Sequence, residues 1–206
     1  MNAQLAAKTK PQTKHVVSDV AAAEQDKAIA TIAIAFANDP MMRWSFPEPA
    51  MFFKVALRLV RAFGGNAFAH NSADQTGNLA AVALWLPPNV EPDHETMGEI
   101  FGMREQTPEQ KKEGEQVFEQ MGKFHPKEPH WYLPLIGTDP IHQGKGYGSA
   151  LMEHAMRRCD RDRMPAYLES SSPANIPLYE RFGFQVIGKI QSGASPVLTP
   201  MFRPAR

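Results

Sequence analysis

Cysteine is nearly absent from this sequence, and neither sign of charge is in excess. Cys159 is the single cysteine among 206 residues, so an internal disulfide is impossible and a reducing cytoplasm is the expected location. The 22 lysines and arginines balance the 22 aspartates and glutamates, which gives no electrostatic reason to expect nucleic acid or a membrane as a partner. The longest strongly apolar run, Leu79 to Leu86, is far too short to cross a bilayer.

Metal-ligand spacing and a secretion signal are also missing. The seven histidines show no spacing typical of a metal site, and CxxC does not occur, so no metal is expected. Residues 1–14 are polar, lack the apolar core of a signal peptide and are predicted to form a disordered tail. Residues 15–206 are long enough for one domain with a sizeable core. The sequence is compatible with both a monomer and a homodimer.

Strand and helix patterns alternate along residues 15–206, in the predicted order β-α-α-β-β-β-α-β-α-β-β. Ser18 or Asp19 is expected to cap the first helix, and a hairpin is expected to turn around Asp74 to Gly77. The charged segment from about 91 to 127 is predicted to be a helical insertion or lid. This order predicts an α/β (α+β) fold in which a mixed sheet carries helices on both faces.

The segment Asp139 to Ala155, DPIHQGKGYGSALMEHA, has little side-chain bulk just before a predicted helix. Three glycines alternate through it, namely Gly144, Gly146 and Gly148. The start of a helix offers unpaired N–H groups and a positive dipole end, and glycine lets a phosphate approach the backbone. A P-loop is excluded because glycine follows Lys145, and the dinucleotide fingerprint would need glycine at Ser149 or Leu151. The loop therefore predicts anion binding through another pattern.

That pattern, Gln143-x-x-Gly146-x-Gly148 after a strand and Asp-Pro, resembles the pyrophosphate loop of the GNAT acetyltransferases, which bind acetyl-CoA. AYLESSSPANIPLYERFGF resembles the late strand and tyrosine-bearing helix of the same superfamily. Within it, the likeness is closest to the puromycin N-acetyltransferases, through AFANDP, AVALWLPP, HPKEPHWYL, HQGKGYGSAL and YLESSSPANIPLYERFGF. These stretches span most of the chain from about Ala35 to Phe184.

The resemblance implies an acetyl-CoA site built largely from backbone groups. The loop N–H groups would hold the diphosphate, and the strand before the loop would pair with the pantetheine arm. The residues implied are Ile136, Gly137, Thr138, Gln143, Gly144, Lys145, Gly146, Tyr147, Gly148, Ser149 and Asn175. Asn175 is equally explained as a helix cap. Many members carry asparagine seven residues before the tyrosine, where this chain has Ser172, which leaves that side-chain contact open.

Pro134 falls in the middle of the predicted strand HWYLPLIGT, where it has no N–H for the strand ladder. GNAT sheets have a splay between two parallel strands, through which the thioester enters. Pro134 is therefore expected to mark that opening, and an edge strand that tolerates proline is the alternative. The expected architecture is the GNAT fold, a mixed and mostly antiparallel sheet with a central, parallel, splayed pair.

Tyr179 and Glu169 are the candidate catalytic residues. Amine attack on a thioester expels a thiolate, whose conjugate acid has a pKa of about 8.5, and a phenol with a pKa of about 10 is available at neutral pH to protonate it. In similar enzymes a tyrosine at the position of Tyr179 has that role, and a core tyrosine beside Leu178 and Phe182 is the alternative.

Glu169 ends the predicted strand AYLES and is expected to face the splay, as a base or as a clamp on the substrate ammonium. As a base, its pKa must rise from about 4.3 towards neutrality through burial. A solvated or salt-bridged carboxylate is the alternative, and an α-amine with a pKa of about 8 needs only a water chain. His130 and Asp139 are weaker candidates.

Together these features predict an N-acetyltransferase that moves the acetyl group of acetyl-CoA to the primary amine of a small molecule. Cys159 falls on the predicted buried face of its helix, which favours direct transfer in a ternary complex over an acetyl-cysteine intermediate. Aromatic candidates for an acceptor pocket, each equally explained as core, are Trp44, Phe46, Trp85, Trp131 and Tyr132. A non-catalytic acyl-CoA-binding sensor module and a protein N-acetyltransferase are the alternatives.

Overall fold

The computed structural model describes residues 15–206, so the tail predicted at 1–14 lies outside the described residues. The strands are β1 (Val17–Asp19), β2 (Ala73–Thr76), β3 (Ala81–Leu86), β4 (Trp131–Thr138), β5 (Ala166–Ser170), β6 (Gln185–Val186) and β7 (Thr199–Arg203). They form one open sheet in the order β1-β2-β3-β4-β5-β7-β6. β4 and β5 run parallel, and the other neighbouring pairs are antiparallel. This is the predicted mixed sheet with one parallel pair.

Eight α-helices surround the sheet within this part of the chain. They are α1 (Gln25–Ala35), α2 (Pro40–Ser45), α3 (Pro49–Gly64), α4 (Asn66–Ala69), α5 (His94–Gly102), α6 (Pro108–Phe124), α7 (Tyr147–Asp162) and α8 (Ile176–Arg181). Across residues 15–206, none of them combines the length and the apolar character that spanning a bilayer would require.

β3 shows why helices cover both faces of the sheet. Every residue of this strand is buried, as its unbroken apolar run predicts for a strand covered on two sides. Val82, Leu84 and Leu86 pack with residues of α1 and α3. Alternate residues, including Trp85, pack on the other face with residues of α7. The prediction of helices on both faces is confirmed.

The parallel pair separates at Pro134. β4 pairs with β5 only over Trp131–Leu133, opposite Ala166–Leu168. The register between β3 and β4 also shifts by one residue between Leu84 and Leu86, next to the proline, because Pro134 cannot donate to the ladder. β4 is the central strand of the seven, so the edge-strand alternative is wrong and the proline marks the opening.

Helices α5 and α6 occupy the segment 91–127. Thr107 and Gln110 form a capping box that starts α6, with bonds of 3.2 and 2.9 Å between the side chain of each and the backbone N–H of the other. Further along the helix, Gln120 Nε2 donates to Gln191 O at 3.0 Å, and Gln120 Oε1 accepts from Gln191 N at 3.2 Å. The helix is therefore fastened to the chain that leads into β7.

Two predictions about the first strands were wrong. Ser18 and Asp19 do not cap α1, because both lie in β1 and pair with β2, and the helix begins at Gln25. The segment predicted as a turn, Asp74 to Gly77, supplies most of β2, and the real turn follows it. Asp74 sits in a strand because Arg158 of α7 donates to both of its carboxylate oxygens, at 3.3 and 2.9 Å.

Asn66–Ala69 form a single helical turn, α4, between α3 and β2. At the C-terminal end, the strands of the sheet are short, Gln185–Val186 and Thr199–Arg203. A single bridge between Ile190 and Leu198 lies between them. These short elements are held by tertiary packing more than by their own sequence pattern.

Candidate active site

The glycine loop enters α7 through two left-handed residues. Gly144 has φ +73°, and Gly146, the N-cap of α7, has φ +89°, a conformation that costs glycine little and other residues more. Within residues 15–206, the backbone N–H groups from Gly144 to Ser149 donate no hydrogen bond to an acceptor. The loop therefore offers a run of free donors at the positive end of a 16-residue helix, which suits an anion.

A cleft of about 520 Å³ lies where β4 and β5 separate. The predicted site residues that line it are Ile136, Gly137, Thr138, Gln143, Gly144, Gly148, Glu169, Asn175 and Tyr179. The predicted residues that do not line it are Lys145, Gly146, Tyr147 and Ser149. The structure thus brings both catalytic candidates and the start of the loop to one cavity.

Three loop side chains make their contacts outside the cleft. Lys145 Nζ donates to a backbone carbonyl four residues earlier, at 3.2 Å. The ring of Tyr147 lies 4.2 Å from the ring of His15, and Arg181 donates to Ser149 Oγ at 3.5 Å. These residues are left with their backbone N–H groups as the means of contacting a diphosphate.

Gly137 and Asn175 have local roles that the structure clarifies. A Cβ on Gly137 would lie 2.7 Å from the Cβ of Ala35, so glycine is needed there for α1 to approach β4. Asn175 is the residue before α8, but its side chain makes no capping hydrogen bond, so the structure does not support the helix-cap alternative. Ser172 also lines the cleft.

Glu169 places a carboxylate below the surface of the cleft. The Tyr132 hydroxyl donates to Oε2 at 2.8 Å, and Oε1 is buried without a hydrogen-bond partner in residues 15–206. Burial raises the pKa of this carboxyl to about 7, against the opposing effect of the Tyr132 hydrogen bond. Glu169 therefore exchanges a proton near neutral pH, the range in which a general base works.

A second cavity of about 130 Å³ adjoins the cleft, and we call it the apolar pocket. Its apolar walls include Met41, Met42, Trp44, Leu59, Val60, Phe63, Met97, Phe101, Val117, Phe118, Met121, Leu135 and Leu198. Residues that line both cavities are Phe36, Asp39, Pro134, Glu169 and Ser171. The two cavities therefore meet where the parallel strands separate, and Glu169 faces both.

Asp39 is a second carboxylate at this junction, and sequence reasoning missed it. Its Oδ1 caps α2 by accepting from Met42 N at 3.0 Å, and its Oδ2 accepts a short hydrogen bond from Ser171 Oγ. The signal that points to it is Asp-Pro at the start of a helix, which is typical of an N-cap. The structure adds that this cap lies beside the candidate base.

Tyr179 is both a core residue and a wall of the cleft. Its side chain is 5% exposed and packs with Phe184, at 6.3 Å between ring centroids, and it lines the cleft. Burial, followed by the charge of Asp39, raises the pKa of its phenol. The hydroxyl therefore carries its proton throughout the neutral range.

Most of the aromatic candidates for an acceptor pocket are core residues. Trp85 and Trp131 pack against the α7 face of the sheet, and Phe46 is 1% exposed. Tyr132 donates a hydrogen bond to Glu169. Of the five candidates, Trp44 is the one that lines the apolar pocket. The pocket's other walls come from α2, α3, α5, α6, β4 and the chain near β7, which lie far apart in the sequence.

The remaining candidates lie elsewhere. His130 Nδ1 donates to Glu128 O at 2.7 Å, and Asp139 Oδ1 accepts from Ile141 N at 3.1 Å; neither lines the cleft. Cys159 is fully buried, and burial raises the pKa of its thiol to about 12, which makes it a poor nucleophile. In the described range 15–206, no three acidic, histidine or cysteine side chains are grouped as a metal site would need.

Comparison with known proteins gives a consistent result. The model of the acetyltransferase (GNAT) family matches residues 9–184. An uncharacterized N-acetyltransferase of Schizosaccharomyces pombe is 30% identical over 183 residues, which cover 80% of this chain and 72% of the relative. A crystal structure of histone acetyltransferase HPA2 and related acetyltransferase from Corynebacterium glutamicum has a TM-score of 0.67 and 28% identity, and covers 94% of this chain and 98% of that one.

A polyamine N-acetyltransferase of Drosophila melanogaster, which forms N-acetylagmatine, shares the fold with a TM-score of 0.57 at 16% identity, over 91% of this chain and 98% of that one. The splayed parallel pair and the glycine loop described above lie within the segment that the family model matches. GNAT enzymes use acetyl-CoA as the acetyl donor. From its sequence match and its fold, this chain belongs to the GNAT family of acetyltransferases.

Proposed function

We propose that this protein transfers the acetyl group of acetyl-CoA to the primary amine of a small molecule, by direct attack in a ternary complex. The observation that carries the proposal is the position of Glu169, whose buried carboxylate lies where the cleft meets the apolar pocket. A base at that junction stands between a donor in the cleft and an acceptor in the pocket. The Drosophila enzyme, which is similar in fold, acts on a small amine of this kind.

The cleft and the glycine loop, which contributes Gly144 and Gly148 to its lining, fit acetyl-CoA. The free N–H groups from Gly144 to Ser149 suit its diphosphate. Within residues 15–206, β4 has no strand partner beyond Leu133 on the side that faces β5, so Ile136 to Thr138 are free to bond the amides of the pantetheine arm. When bound, the thioester supplies an electrophilic acetyl carbon and a thiolate leaving group.

Glu169 and Tyr179 divide the proton transfers. Glu169, with its pKa of about 7, removes a proton from the substrate ammonium and so frees the lone pair of the nitrogen. As the C–N bond forms and the C–S bond breaks, Tyr179 donates its phenolic proton to the departing sulfur. The second proton of the amine is released to solvent, from which Tyr179 recovers its own.

The test is acetyl-CoA turnover, measured as released coenzyme A thiol, with phenethylamine, agmatine and puromycin as acceptors. Glu169→Gln and Tyr179→Phe should each lower kcat on the order of 10²-fold or more, as loss of a general base or acid does. Glu153→Gln is the matched control, because its carboxylate pairs with Arg157 on the exposed side of α7, and it should keep the wild-type rate. A Tyr179→Phe enzyme as fast as the wild type would refute the acid assignment.

Puromycin belongs in the panel of acceptors because of the resemblance to the puromycin N-acetyltransferases. We also propose that the reaction takes place in the cytoplasm, because the only cysteine of the sequence is a free thiol. Wild-type protein that binds acetyl-CoA but acetylates no acceptor would favour a sensor module instead. A peptide with a free N-terminus and an internal lysine tests the protein-acceptor alternative, since one similar structure is described as a histone acetyltransferase. Peptide turnover above that of every small amine would contradict the proposal.

A further inference from the structure

Within residues 15–206, one cationic side chain lines the apolar pocket. Arg104, from the end of α5, is half-buried and lines the pocket among methionine and phenylalanine side chains. Its guanidinium carbon lies 4.9 Å from the ring centre of Phe101 and 5.8 Å from that of Phe46. A guanidinium in such a place is held in a fixed orientation and is partly stripped of water.

The partners of Arg104 within residues 15–206 are neutral. Its Nε donates to Phe101 O at 3.2 Å and its Nη1 donates to Ser45 O at 3.5 Å. The amide oxygen of Gln106, in the orientation that satisfies its hydrogen bonds, accepts from Nη2 at 2.7 Å. In the described chain, no aspartate or glutamate lies within ion-pair distance of it. Burial lowers the pKa of the guanidinium, which means that its neutral partners do not fully replace the water it has lost.

The opposite charge lies at the other end of the same pocket. Asp39 caps the first turn of α2, while Arg104 bonds the carbonyl of Ser45 at the last residue of that helix. A helix rises 1.5 Å per residue, so the six residues of α2 separate the two ends by about 9 Å. Glu169 lies with Asp39 at the junction with the cleft. The pocket is thus negative where the amine would react and positive at the far end.

The volume of the pocket limits what can fill the space between these charges. At about 130 Å³ it is close to the apolar cavity of about 150 Å³ that takes up benzene. One aromatic ring therefore fills the apolar part, and a chain of one or two carbons brings an amine from that ring to the carboxylates.

We propose that the acceptor is an aryl-alkyl amine with a single ring and a carboxylate on the side opposite its amine, which Arg104 binds as an ion pair. This inference rests on the proposed function and names the substrate class of the same site. Arg104 is a specificity-determining residue in this arrangement, because its planar fork matches a carboxylate.

Three acceptors isolate the effect of the charge. They are 4-(2-aminoethyl)benzoate, the neutral carboxamide of the same shape, and phenethylamine, which has neither group. The wild-type enzyme should show a KM for the benzoate on the order of tenfold below that for the carboxamide, the ratio that corresponds to a difference of about 1.4 kcal/mol. Equal KM values for these two acceptors would overturn the proposal.

Arg104→Met and Arg104→Lys separate recognition from a structural role. Arg104→Met should raise the KM for the benzoate about tenfold and leave that for phenethylamine unchanged, and Arg104→Lys should restore part of the preference because it keeps the charge. An equal loss for both acceptors would show that Arg104 only supports the packing around α2 and α5, and would overturn the proposal.

Gly114 offers a variant that leaves Arg104 in place. A Cβ at Gly114 on α6 would lie 3.5 Å from Arg104 Nη2 and meet no other atom within 4 Å, so Gly114→Asp should pair internally with the guanidinium. It should abolish the preference for the benzoate, while Gly114→Ala should keep it. Retention of the preference in Gly114→Asp would contradict the proposal. No turnover of any acceptor would instead count against the proposed function, which keeps the two failures distinct.

Discussion

At the scale of single residues, the protonation of Glu169 is expected to make the candidate site sensitive to pH. Its pKa is raised from an ordinary value of 4.5 to about 7 because burial disfavours the charged form. Below pH 7 the carboxyl holds its proton and cannot accept another, so the base is lost as the pH falls. Above pH 7 the carboxylate is available.

We therefore expect kcat/KM for an amine acceptor to rise with pH and to level off above an inflection near pH 7. Glu169→Gln cannot ionise, so its much lower activity should show no inflection there. Initial rates from pH 5.5 to 9 with phenethylamine would measure this, with Glu153→Gln, an exposed carboxylate on α7, as a control that keeps the wild-type profile. An unchanged inflection in Glu169→Gln would assign the titration to another group.

Single residues also show where sequence reasoning worked and where it failed at the site. Tyr179 and Glu169 were identified through a motif that is continuous in the sequence, and the structure brings both to one cleft. Asp39 and Arg104 were not identified, because an aspartate before a helix and an arginine after one have ordinary explanations. The roles proposed for Asp39 and Arg104 depend on which segments lie close together in the fold. A local sequence pattern does not contain that information.

At the scale of elements, the start of α7 depends on glycine conformation. Gly146→Ala should lower the free energy of unfolding by about 1 kcal/mol, because alanine is strained at φ +89°. The same change should weaken coenzyme A binding by displacing the loop N–H groups. Urea unfolding and calorimetric titration with coenzyme A measure the two effects.

Gly98→Ala is the matched control for that prediction. Gly98 lies within α5, has no neighbour within 4 Å of a built Cβ and does not have a positive φ. Alanine there should stabilise the protein by about 0.5–1 kcal/mol through helix propensity and leave coenzyme A binding unchanged. If both variants behaved alike, the left-handed residue would not be what shapes the loop.

Elements differ in how well local sequence predicts them. β3 and α7 were predicted because continuous apolar runs and one-sided helix patterns are strong signals. β2 was missed because Asp74 and Gly77 read as turn residues, whereas a charge from α7 allows Asp74 to be buried. The short strands near the C-terminus depend on neighbours that form elsewhere, so their own residues indicate them weakly.

At the scale of the whole molecule, one buried ion pair joins parts of the chain that are far apart. Asp74 of β2 is fully buried, and Arg158 of α7, 84 residues away, pairs with both of its oxygens. The guanidinium of Arg158 also lies over the Trp131 ring, at 4.7 Å from its centroid. The pair therefore ties the first strands of the sheet to the helix that begins at the glycine loop.

Asp74→Asn should lower the free energy of unfolding by about 3 kcal/mol, because it leaves the charge of Arg158 without its partner. Asp26→Asn is the matched control, since the ion pair of Asp26 with Arg61 is exposed, and it should leave stability nearly unchanged. Denaturant unfolding of both variants measures the difference. A loss of similar size in the two would mean that burial of the first pair is unimportant.

The single cysteine has a practical consequence that follows from its position on the buried face of α7. Cys159 is sealed in the core, so a chromogenic disulfide reagent added to native enzyme should react with liberated cofactor and leave the polypeptide untouched. Once the fold opens, the same sulfur becomes accessible and reacts. One reagent can therefore follow turnover in the intact molecule and, without acetyl-CoA, count the chains that have lost their structure.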